Sequence, residues 1–287
     1  MKLIDGNLVA SYYKENLKSL ISSKGLKVTL AVVLVGDDPA SKVYVANKTK
    51  ECKEVGIETK DFYLPKDTSE NNLINLLKNL NEDEEIDAIL VQLPLPEHID
   101  EFKIINTISP TKDVDGFHPE NIGKLAIGKP FIEPCTPKGI VRLIDYYNIP
   151  IEGKRVVIVG RSNIVGKPAS LMFLHRNATV TICHSKTQNI ESITREADIL
   201  VVAIGKPKFV KRNMVKEKSV VIDVGINRVD VNGKYKIVGD VDFDDVKEIC
   251  SYITPVPGGV GPMTRAMLLE NAYQLALYKK ESCSRKI

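Results

Sequence analysis

Apolar residues follow two kinds of pattern along the first third of the chain. A helical spacing predicts amphipathic helices, and short, almost continuous apolar runs predict strands buried on both faces. In chain order the pattern predicts a helix at 7–23 ended by Gly25, a strand at 28–35, a helix at 41–55 with Ser41 as N-cap, a strand at 58–64, a helix at 68–80 and a strand at 86–92. This alternation indicates a parallel sheet with right-handed crossovers.

The same alternation returns after the segment 93–137, where proline and glycine interrupt every periodic pattern and long loops are expected. The predicted elements are a helix at 138–147, a strand at 155–159, a helix over 169–174, a strand at 178–183, a helix at 189–195, strands at 197–203 and 220–225, a turn at 231–234 and a final helix at 264–280. A second α/β unit is therefore expected.

The junction at 155–168 has the form of a strand, a tight turn and a helix. Four β-branched residues lead into Gly160, Gly166 follows, and Pro168 suits the first turn of a helix. Such a turn directs backbone N–H groups at one point, which favours an anion such as a pyrophosphate. Because Ser162 replaces the second glycine of the dinucleotide fingerprint, an ordinary strand-to-helix turn remains an alternative.

The residues after the next strand favour NADP over NAD. NAD enzymes place a carboxylate about twenty residues beyond the turn, whereas this chain has His184, Ser185 and Lys186 there. Together with Arg161, Ser185 and Lys186 can bind a 2′-phosphate. The alternative is that they are solvated loop residues.

We therefore predict an α/β protein of two domains flanking a cleft, with a Rossmann-like parallel sheet in the second. The first domain is expected at 1–137, joined by the C-terminal helix 264–287 packing back on it, and the second at 138–263. Ligands in such sheets bind beyond the carboxyl ends of the strands.

Composition limits the classes of function. The 287 residues are 43% hydrophobic and 27% charged, with a formal charge of +3, which is ordinary for a globular protein and too small to indicate nucleic acid. No apolar run suggests a membrane span or signal peptide, so a cytoplasmic location is expected. The five cysteines are widely spaced, and neither a disulfide framework nor a metal site is expected.

Tyr44 and Lys48 are one helical turn apart in the helix predicted at 41–55. A lysine that is partly removed from water can act as a base, and a tyrosine beside it can support an aromatic substrate. Surface neighbours are the alternative. The short-chain dehydrogenases use a similar pair, but theirs follows the nucleotide-binding turn, whereas Lys48 precedes Gly160, which disfavours that family.

Three further candidates stand at strand ends or in loops. Gln92 closes a buried strand, Asp113 and Asp115 lie before a glycine, and 255–262 mixes proline with glycine, as in a defined ligand-contacting loop. Each has a purely structural alternative: a core amide, an Asx turn and a connector between domains.

Six motifs, in this order, resemble those of the bifunctional methylenetetrahydrofolate dehydrogenase/methenyltetrahydrofolate cyclohydrolase family. They are Tyr44-Val-Ala-Asn-Lys48, Val91-Gln-Leu-Pro-Leu-Pro96, Lys112-Asp-Val-Asp-Gly-Phe117, Pro134-Cys-Thr-Pro137, Gly160-Arg-Ser-Asn-Ile-Val-Gly-Lys-Pro168 and Thr254-Pro-Val-Pro-Gly-Gly-Val-Gly-Pro-Met-Thr264. The resemblance covers nearly the whole chain.

The resemblance implies NADP-dependent oxidation of 5,10-methylenetetrahydrofolate to the methenyl cation, followed by hydrolysis to 10-formyltetrahydrofolate. It implies a homodimer, a substrate that can carry polyglutamate, and a place in one-carbon metabolism that supplies purine, histidine and methionine biosynthesis. At the folate site it implies that Lys48 transfers the proton, that Gln92 is bonded to this lysine, that Tyr44 packs on the folate and that Asp115 anchors the pterin. Gly258, Gly259 and Pro262 are implied to line the folate pocket. The residues implied to contact NADP are Gly160, Arg161, Ser162, Ser185 and Ile226.

Two rival functions stay open at this point. Another two-domain NADP dehydrogenase, acting for example on a hydroxy acid, leaves the Pro-Leu-Pro and Pro-Gly-Gly loops unexplained. A silent nucleotide-binding protein would be expected to lack Lys48 or Asp115, and both are present. An assay with methylenetetrahydrofolate separates these functions.

Overall fold

The computed structural model describes residues 1–231 and 233–284, without the side chains of 39–44, 46, 47, 231, 234, 283 and 284. Its helices are α1 (Gly6–Lys24), α2 (Pro39–Val55), α3 (Glu70–Glu82), α4 (Glu101–Thr107), α5 (Pro119–Ala126), α6 (Cys135–Tyr146), α7 (Gly166–His175), α8 (Ile190–Thr194), α9 (Phe243–Val246) and α10 (Val260–Ser284). Its strands are β1 (Lys2–Leu3), β2 (Thr29–Val35), β3 (Glu58–Leu64), β4 (Ala88–Val91), β5 (Arg155–Val159), β6 (Thr179–Cys183), β7 (Ile199–Val202), β8 (Val220–Asp223), β9 (Asn227–Val231), β10 (Lys234–Val238) and β11 (Tyr252–Ile253).

The chain divides into two compact units. Unit 1 comprises Met1–Ser11 and Pro134–Met267, and unit 2 comprises Tyr12–Glu133 and Leu268–Ile287. Both are α/β, so the predicted fold class is confirmed. Each unit has its own parallel sheet.

The sheet of unit 1 is parallel, with the strand order β1-β11-β8-β7-β5-β6. Strands β5, β7 and β8 are central and almost wholly buried, because they are short runs of valine, isoleucine and leucine covered on both faces. Their carboxyl ends, at Val159, Val202 and Asp223, lie at one edge of the sheet. Loops that follow these strands are therefore brought close together.

The sheet of unit 2 has the order β3-β2-β4, again parallel. The central strand β2 is buried along its whole length, as its continuous apolar run predicts. Helix α3 packs Leu73, Leu77 and Leu80 into the core beneath this sheet. The sheet gives a rigid base to the residues that follow β4.

Three sequence-based expectations need correction. The segment 93–137 is not all loop, since α4, α5 and the start of α6 lie within it. Helix α2 begins at Pro39, which places Ser41 inside the helix and not at its N-cap. Helix α10 begins at Val260, four residues before the expected start, so Gly261 and Pro262 form part of its first turn.

The first of these corrections has a physical reason. Helices α4 and α5 are seven and eight residues long, too short for a periodic pattern, and their starts depend on capping. Asp100 caps α4 by accepting hydrogen bonds from the backbone N–H groups of Phe102 and Lys103. His118 caps α5, with Pro119 as its first residue.

Several features of the described residues bear on the classes of function. None of the helices in this part of the chain combines the length and apolarity that a membrane span needs. The cysteines whose side chains are described, Cys52, Cys135, Cys183 and Cys250, are free thiols, and all are buried. Within 1–231 and 233–284, no group of His, Cys, Asp and Glu has a metal-binding arrangement.

Candidate functional site

Lys48 is a buried lysine on α2, only 5% exposed. Its Nζ donates a hydrogen bond of 3.3 Å to Oε1 of Gln92, the residue that follows strand β4. The Gln92 side chain is itself held, because its Nε2 donates to the carbonyl oxygen of Leu93 at 2.6 Å. The predicted contact between the lysine and the glutamine is therefore present, and the end of a rigid strand determines its position.

Asp115 lies in a loop that Asp113 fixes. The buried Asp113 carboxylate accepts hydrogen bonds from the backbone N–H groups of Gly116 at 3.0 Å and His118 at 2.8 Å, and from Nδ2 of Asn121 at 2.9 Å. Gly116 has a φ of 74°, in the left-handed region. The two carboxylates therefore differ in role: Asp113 is structural, whereas Asp115 does not take part in these bonds.

A second set of contacts ties this loop to the body of unit 2. Ile89 of β4 donates its N–H to the carbonyl oxygen of Lys112 at 2.7 Å, and Asn271 of α10 donates from Nδ2 to the carbonyl oxygen of Val114 at 2.9 Å. Asn271 is wholly buried and also reaches the carbonyl oxygen of Glu133. The loop carrying Asp115 is thus held between the sheet and the C-terminal helix.

The ionisation of Asp115 depends on these surroundings. Burial raises the pKa of its carboxyl from 3.8 to about 6, although the nearby Lys48 ammonium acts in the opposite direction and Asp113 adds to the rise. Lys48 is thus close enough to Asp115 for its charge to affect the pKa of the carboxyl. Lys48, Gln92 and Asp115, predicted from three separate motifs, therefore form one cluster in unit 2. Tyr44, on the same helix as Lys48, lies outside the described side chains.

The turn after β5 is built from glycine backbone. Gly160 has a φ of 133°, and a Cβ there would overlap the carbonyl oxygen of Ala203. A Cβ on Gly166 would overlap the carbonyl oxygen of Gly160. Both glycines are therefore required by close approach of backbone, as in nucleotide-binding turns.

Ser162, at the position of the usual second glycine, forms hydrogen bonds within the turn. Its Oγ accepts hydrogen bonds from the backbone N–H groups of Val165, the N-cap residue of α7, at 3.1 Å and of Gly166, the first residue of α7, at 3.3 Å. A hydroxyl has one hydrogen to donate besides the bonds it accepts. Ser162 can therefore accept these two bonds and still donate a hydrogen bond to a phosphate.

A cavity of about 290 Å³ lies beside this turn in unit 1. Three predicted NADP-contacting residues, Gly160, Arg161 and Ser185, line it. Its remaining lining residues are Val159, His184, Ile190, Ala203, Ile204, Lys206 and Phe209. Of these, Lys206 was not anticipated: it follows β7, and only the parallel alignment of β5 and β7 brings it to this cavity.

A second cavity of about 290 Å³ in unit 1 is bordered by the proline-rich and glycine-rich loop before α10. Gly258, Gly259 and Pro262, predicted to contact folate, line it together with Ile226, predicted to contact NADP. Asn7 and Arg265 also line it and were not predicted. Gly6 donates its N–H to the carbonyl oxygen of Gly258 at 2.8 Å, so the start of α1 supports this loop.

Two buried carboxylates connect the loops that border these cavities. Asp240 accepts hydrogen bonds from the backbone N–H groups of Ile204, Gly205 and Lys206 at 2.7–3.0 Å, and from Nδ2 of Asn227 at 2.8 Å. Asp223 accepts from the N–H groups of Gly225, Asp240 and Val241. Burial raises the pKa of Asp223 to about 6. No sequence signal beyond their place after strands pointed to this pair.

Family models match most of the chain. The model described as the tetrahydrofolate dehydrogenase/cyclohydrolase catalytic domain matches residues 4–115. The model described as the NAD(P)-binding domain of the same family matches residues 134–280. The first match contains Lys48, Gln92 and Asp115, and the second contains the glycine turn.

Individual proteins are similar over almost their whole length. A protein from Campylobacter hominis named Bifunctional protein FolD is 56% identical over 279 residues, covering 96% of this chain and 97% of its own. A protein of the same name from Thermodesulfovibrio yellowstonii is 54% identical over 282 residues, covering 97% and 98%.

Solved structures show the same likeness. The bifunctional FolD methylenetetrahydrofolate dehydrogenase/cyclohydrolase from Campylobacter jejuni is 49% identical, with a TM-score of 0.93 and coverage of 97% of this chain and 99% of that one. The Trypanosoma brucei dehydrogenase-cyclohydrolase, solved with NADP and an inhibitor, is 38% identical, with a TM-score of 0.92 and coverage of 96% and 97%.

Proposed function

This chain belongs to the tetrahydrofolate dehydrogenase/cyclohydrolase family, and on that premise we propose how its residues divide the two reactions. The predicted function is confirmed: the chain is an enzyme that oxidises 5,10-methylenetetrahydrofolate with NADP and hydrolyses the methenyl product to 10-formyltetrahydrofolate. We assign folate chemistry to the predicted domain 1–137 with helix 264–287, and NADP binding to 138–263. The observation that carries the assignment is the buried Lys48 bonded to Gln92 beside Asp115.

The residues of the glycine turn fit a nucleotide. The backbone of Ala203 leaves no room for a side chain at Gly160, so the chain turns tightly between β5 and α7, as it does in nucleotide-binding turns. Arg161 and Ser185 line the adjoining cavity, and the Ser162 hydroxyl has a hydrogen to donate. These residues, with Ile226 at the second cavity, are proposed to hold NADP, which when bound accepts a hydride from the methylene carbon of the folate.

Lys48 is proposed to act in the hydrolysis step. Water adds to the methenyl carbon and loses a proton. The bond from that carbon to N5 then breaks, N5 takes up a proton and the remaining hydroxyl loses one, which leaves the formyl group on N10. Burial and the positive charge of the methenyl folate favour the neutral amine, which can accept the proton from the water, whereas an ionised Asp115 favours the ammonium. The hydrogen bond to Gln92 fixes the direction of the Nζ atom.

The other predicted residues are proposed to position the folate. Asp115, ionised above about pH 6, can accept hydrogen bonds from the N–H groups of the pterin. Gly258, Gly259 and Pro262 offer a surface that a flat ring can approach, and Tyr44 is proposed to pack on the folate. Hydride transfer needs mainly that the two reacting carbons be held at near-attack distance, which is the task of such contacts.

One purified preparation tests both activities. The expected result is an increase in absorbance when methylenetetrahydrofolate and NADP are mixed with the enzyme, and a decrease when methenyltetrahydrofolate alone is added. Measurable NADP binding without either change would refute the bifunctional assignment and favour a silent nucleotide-binding protein. Oxidation of a hydroxy acid in place of the folate would favour the rival dehydrogenase.

Assembly, location and pathway are also proposed. We propose a homodimer, supported by apolar side chains on the hairpin β9–β10, where Tyr235 is 66% exposed. Sedimentation velocity tests this assembly.

Free buried cysteines support a cytoplasmic location. The family resemblance also leads us to propose supply of one-carbon units to purine, histidine and methionine biosynthesis, tested by nutritional rescue. Use of polyglutamylated folate is proposed on the same ground and is tested by kinetics with polyglutamate substrates.

A further inference from the structure

We propose that Lys206 is a second residue that determines the preference for NADP, by binding the 2′-phosphate together with Arg161. The inference rests on the proposed function, because it names a further residue of the NADP site. The sequence offered Ser185 and Lys186, from their place after β6, together with Arg161 for this task, so Lys186 was its candidate lysine. The structure instead places Lys206 at the cavity that Arg161 and Ser185 line.

Lys206 is held at this cavity from two directions. Its backbone N–H donates to Oδ1 of the buried Asp240 at 2.8 Å, which fixes the main chain of the loop. Its Nζ lies 5.9 Å from the centre of the Phe209 ring, and Phe209 lines the same cavity. A cation–π contact of this length keeps the ammonium on the cavity wall without neutralising it.

Among the described residues, Arg161 and Lys206 are two of the cations that form no ion pair with a carboxylate. Within 1–231 and 233–284, neither forms an ion pair, whereas the neighbouring Lys208 and Lys211 both pair with Asp242, at 3.2 and 2.6 Å. Two uncompensated cations around one cavity favour a ligand with about two negative charges. A 2′-phosphate has that charge, and the ribose hydroxyl of NAD has none.

The test compares ligands that differ only at the 2′ position. Binding of adenosine 2′,5′-bisphosphate and of 5′-AMP is measured by calorimetry, and kcat/KM is measured with NADP and with NAD. For Lys206→Gln we expect the bisphosphate and NADP to lose about tenfold, the size of one charge-assisted hydrogen bond. 5′-AMP and NAD should be almost unaffected. Lys206→Arg should restore most of the NADP preference.

Two further variants make the result specific. Lys208→Gln is the matched control, since it removes a lysine of the same loop that already pairs with Asp242, and it should leave the ratio of NADP to NAD unchanged. Lys186→Gln tests the residue favoured by the sequence. A selective NADP loss in Lys186→Gln but not in Lys206→Gln would overturn the proposal, as would equal losses for NADP and NAD in Lys206→Gln.

The same measurements distinguish an error in the proposed NADP function from an error in the role of Lys206. If the wild-type enzyme did not distinguish the bisphosphate from 5′-AMP, the NADP assignment itself would be wrong. If the wild type distinguished them and Lys206→Gln did so equally well, only the role of Lys206 would be rejected. Binding of 5′-AMP also verifies that each variant is folded at the nucleotide site.

Discussion

The two units of the molecule differ in how far their charged groups are exposed to water. In unit 2, the groups proposed for catalysis are ionisable and withdrawn from water: Lys48 is 5% exposed, and burial raises the pKa of Asp115 to about 6. In unit 1, the nucleotide region uses glycine backbone for close approach and leaves the charges of Arg161 and Lys206 exposed. Burial adjusts the reactivity of a group, whereas exposure preserves its charge for binding.

This difference predicts different sensitivities. A substitution in the buried cluster should change the rate of a chemical step, and a substitution at the exposed cations should change which nucleotide binds. A substitution in the glycine turn should lower both the affinity for the nucleotide and the stability of the fold, because the backbone there has no room for a side chain. The following substitutions test that division.

The largest expected effect is that of Lys48→Met. Loss of the proton acceptor should lower cyclohydrolase turnover by roughly 10²- to 10⁴-fold, the usual contribution of general acid–base catalysis. Methionine retains the length and apolar stem of the side chain, so NADP binding should persist. Stopped-flow hydrolysis of methenyltetrahydrofolate and NADP titration measure the two quantities. Lys50→Met, at an exposed position of α2, is the control. Hydrolysis at the wild-type rate would reject Lys48 as the base.

Gly160→Ala should have the next largest effect. The added methyl would overlap the Ala203 carbonyl at a φ of 133°, and strain of about 1–3 kcal/mol is expected at such a position. NADP affinity and the melting temperature should both fall. Gly123→Ala is the matched control, because a Cβ there has nothing within 4 Å and alanine is favoured inside a helix by about 0.5–1 kcal/mol. Unchanged NADP binding in Gly160→Ala would show that the turn is not the phosphate site.

Arg161→Ala should have the third largest effect, and this effect should be mainly on NADP. Loss of a charge-assisted contact of about 1.5–3 kcal/mol should weaken NADP by tenfold or more, while NAD binding should change much less. Direct titration with both nucleotides measures the ratio. Equal weakening of NADP and NAD would show that Arg161 does not recognise the 2′-phosphate.

The smallest effect is a dependence on pH. The Asp115 carboxyl has a pKa of about 6 when folded, raised from 3.8, so it takes up a proton as the pH falls through 6 and loses the charge proposed to anchor the pterin. The KM for folate should therefore be about fourfold higher at pH 5.5 than at pH 7. In Asp115→Asn this rise should be absent. Titration of NADP over the same range is the control, and an identical pH profile in the variant would contradict the role of Asp115.

Most of the fold was predictable because its strands are continuous apolar runs of ordinary length. The run predicted as a strand at 28–35, for example, contains β2 (Thr29–Val35), which is buried along its whole length. Helices α4 and α5 were missed because seven or eight residues contain too little of a helical period, and capping by Asp100 and His118 determines where they begin. The start of α2 was placed two residues late, since Pro39 is a helix-starting residue that the sequence also allows in a loop.

The residues of the candidate site also fall into those that the sequence predicted and those that it did not. Motifs identified Lys48, Gln92, Asp115 and the glycine turn, because each lies in a short stretch of unusual composition. Lys206 has no such stretch: it becomes a neighbour of Arg161 only through the pairing of β5 with β7, some forty residues apart in the chain. Pairing between distant strands is not encoded in local periodicity, so contacts of this kind require the folded structure.

Asp240 has a consequence for any attempt to change the nucleotide preference. Its single carboxylate holds the loop of Lys206 and, through Asn227, the start of the hairpin that follows Ile226. The two cavities consequently share one anchoring point, and redesign of either loop disturbs the other unless an acidic residue is kept at 240. Laboratory evolution toward NAD should therefore replace Arg161 and Lys206 freely while leaving this aspartate untouched.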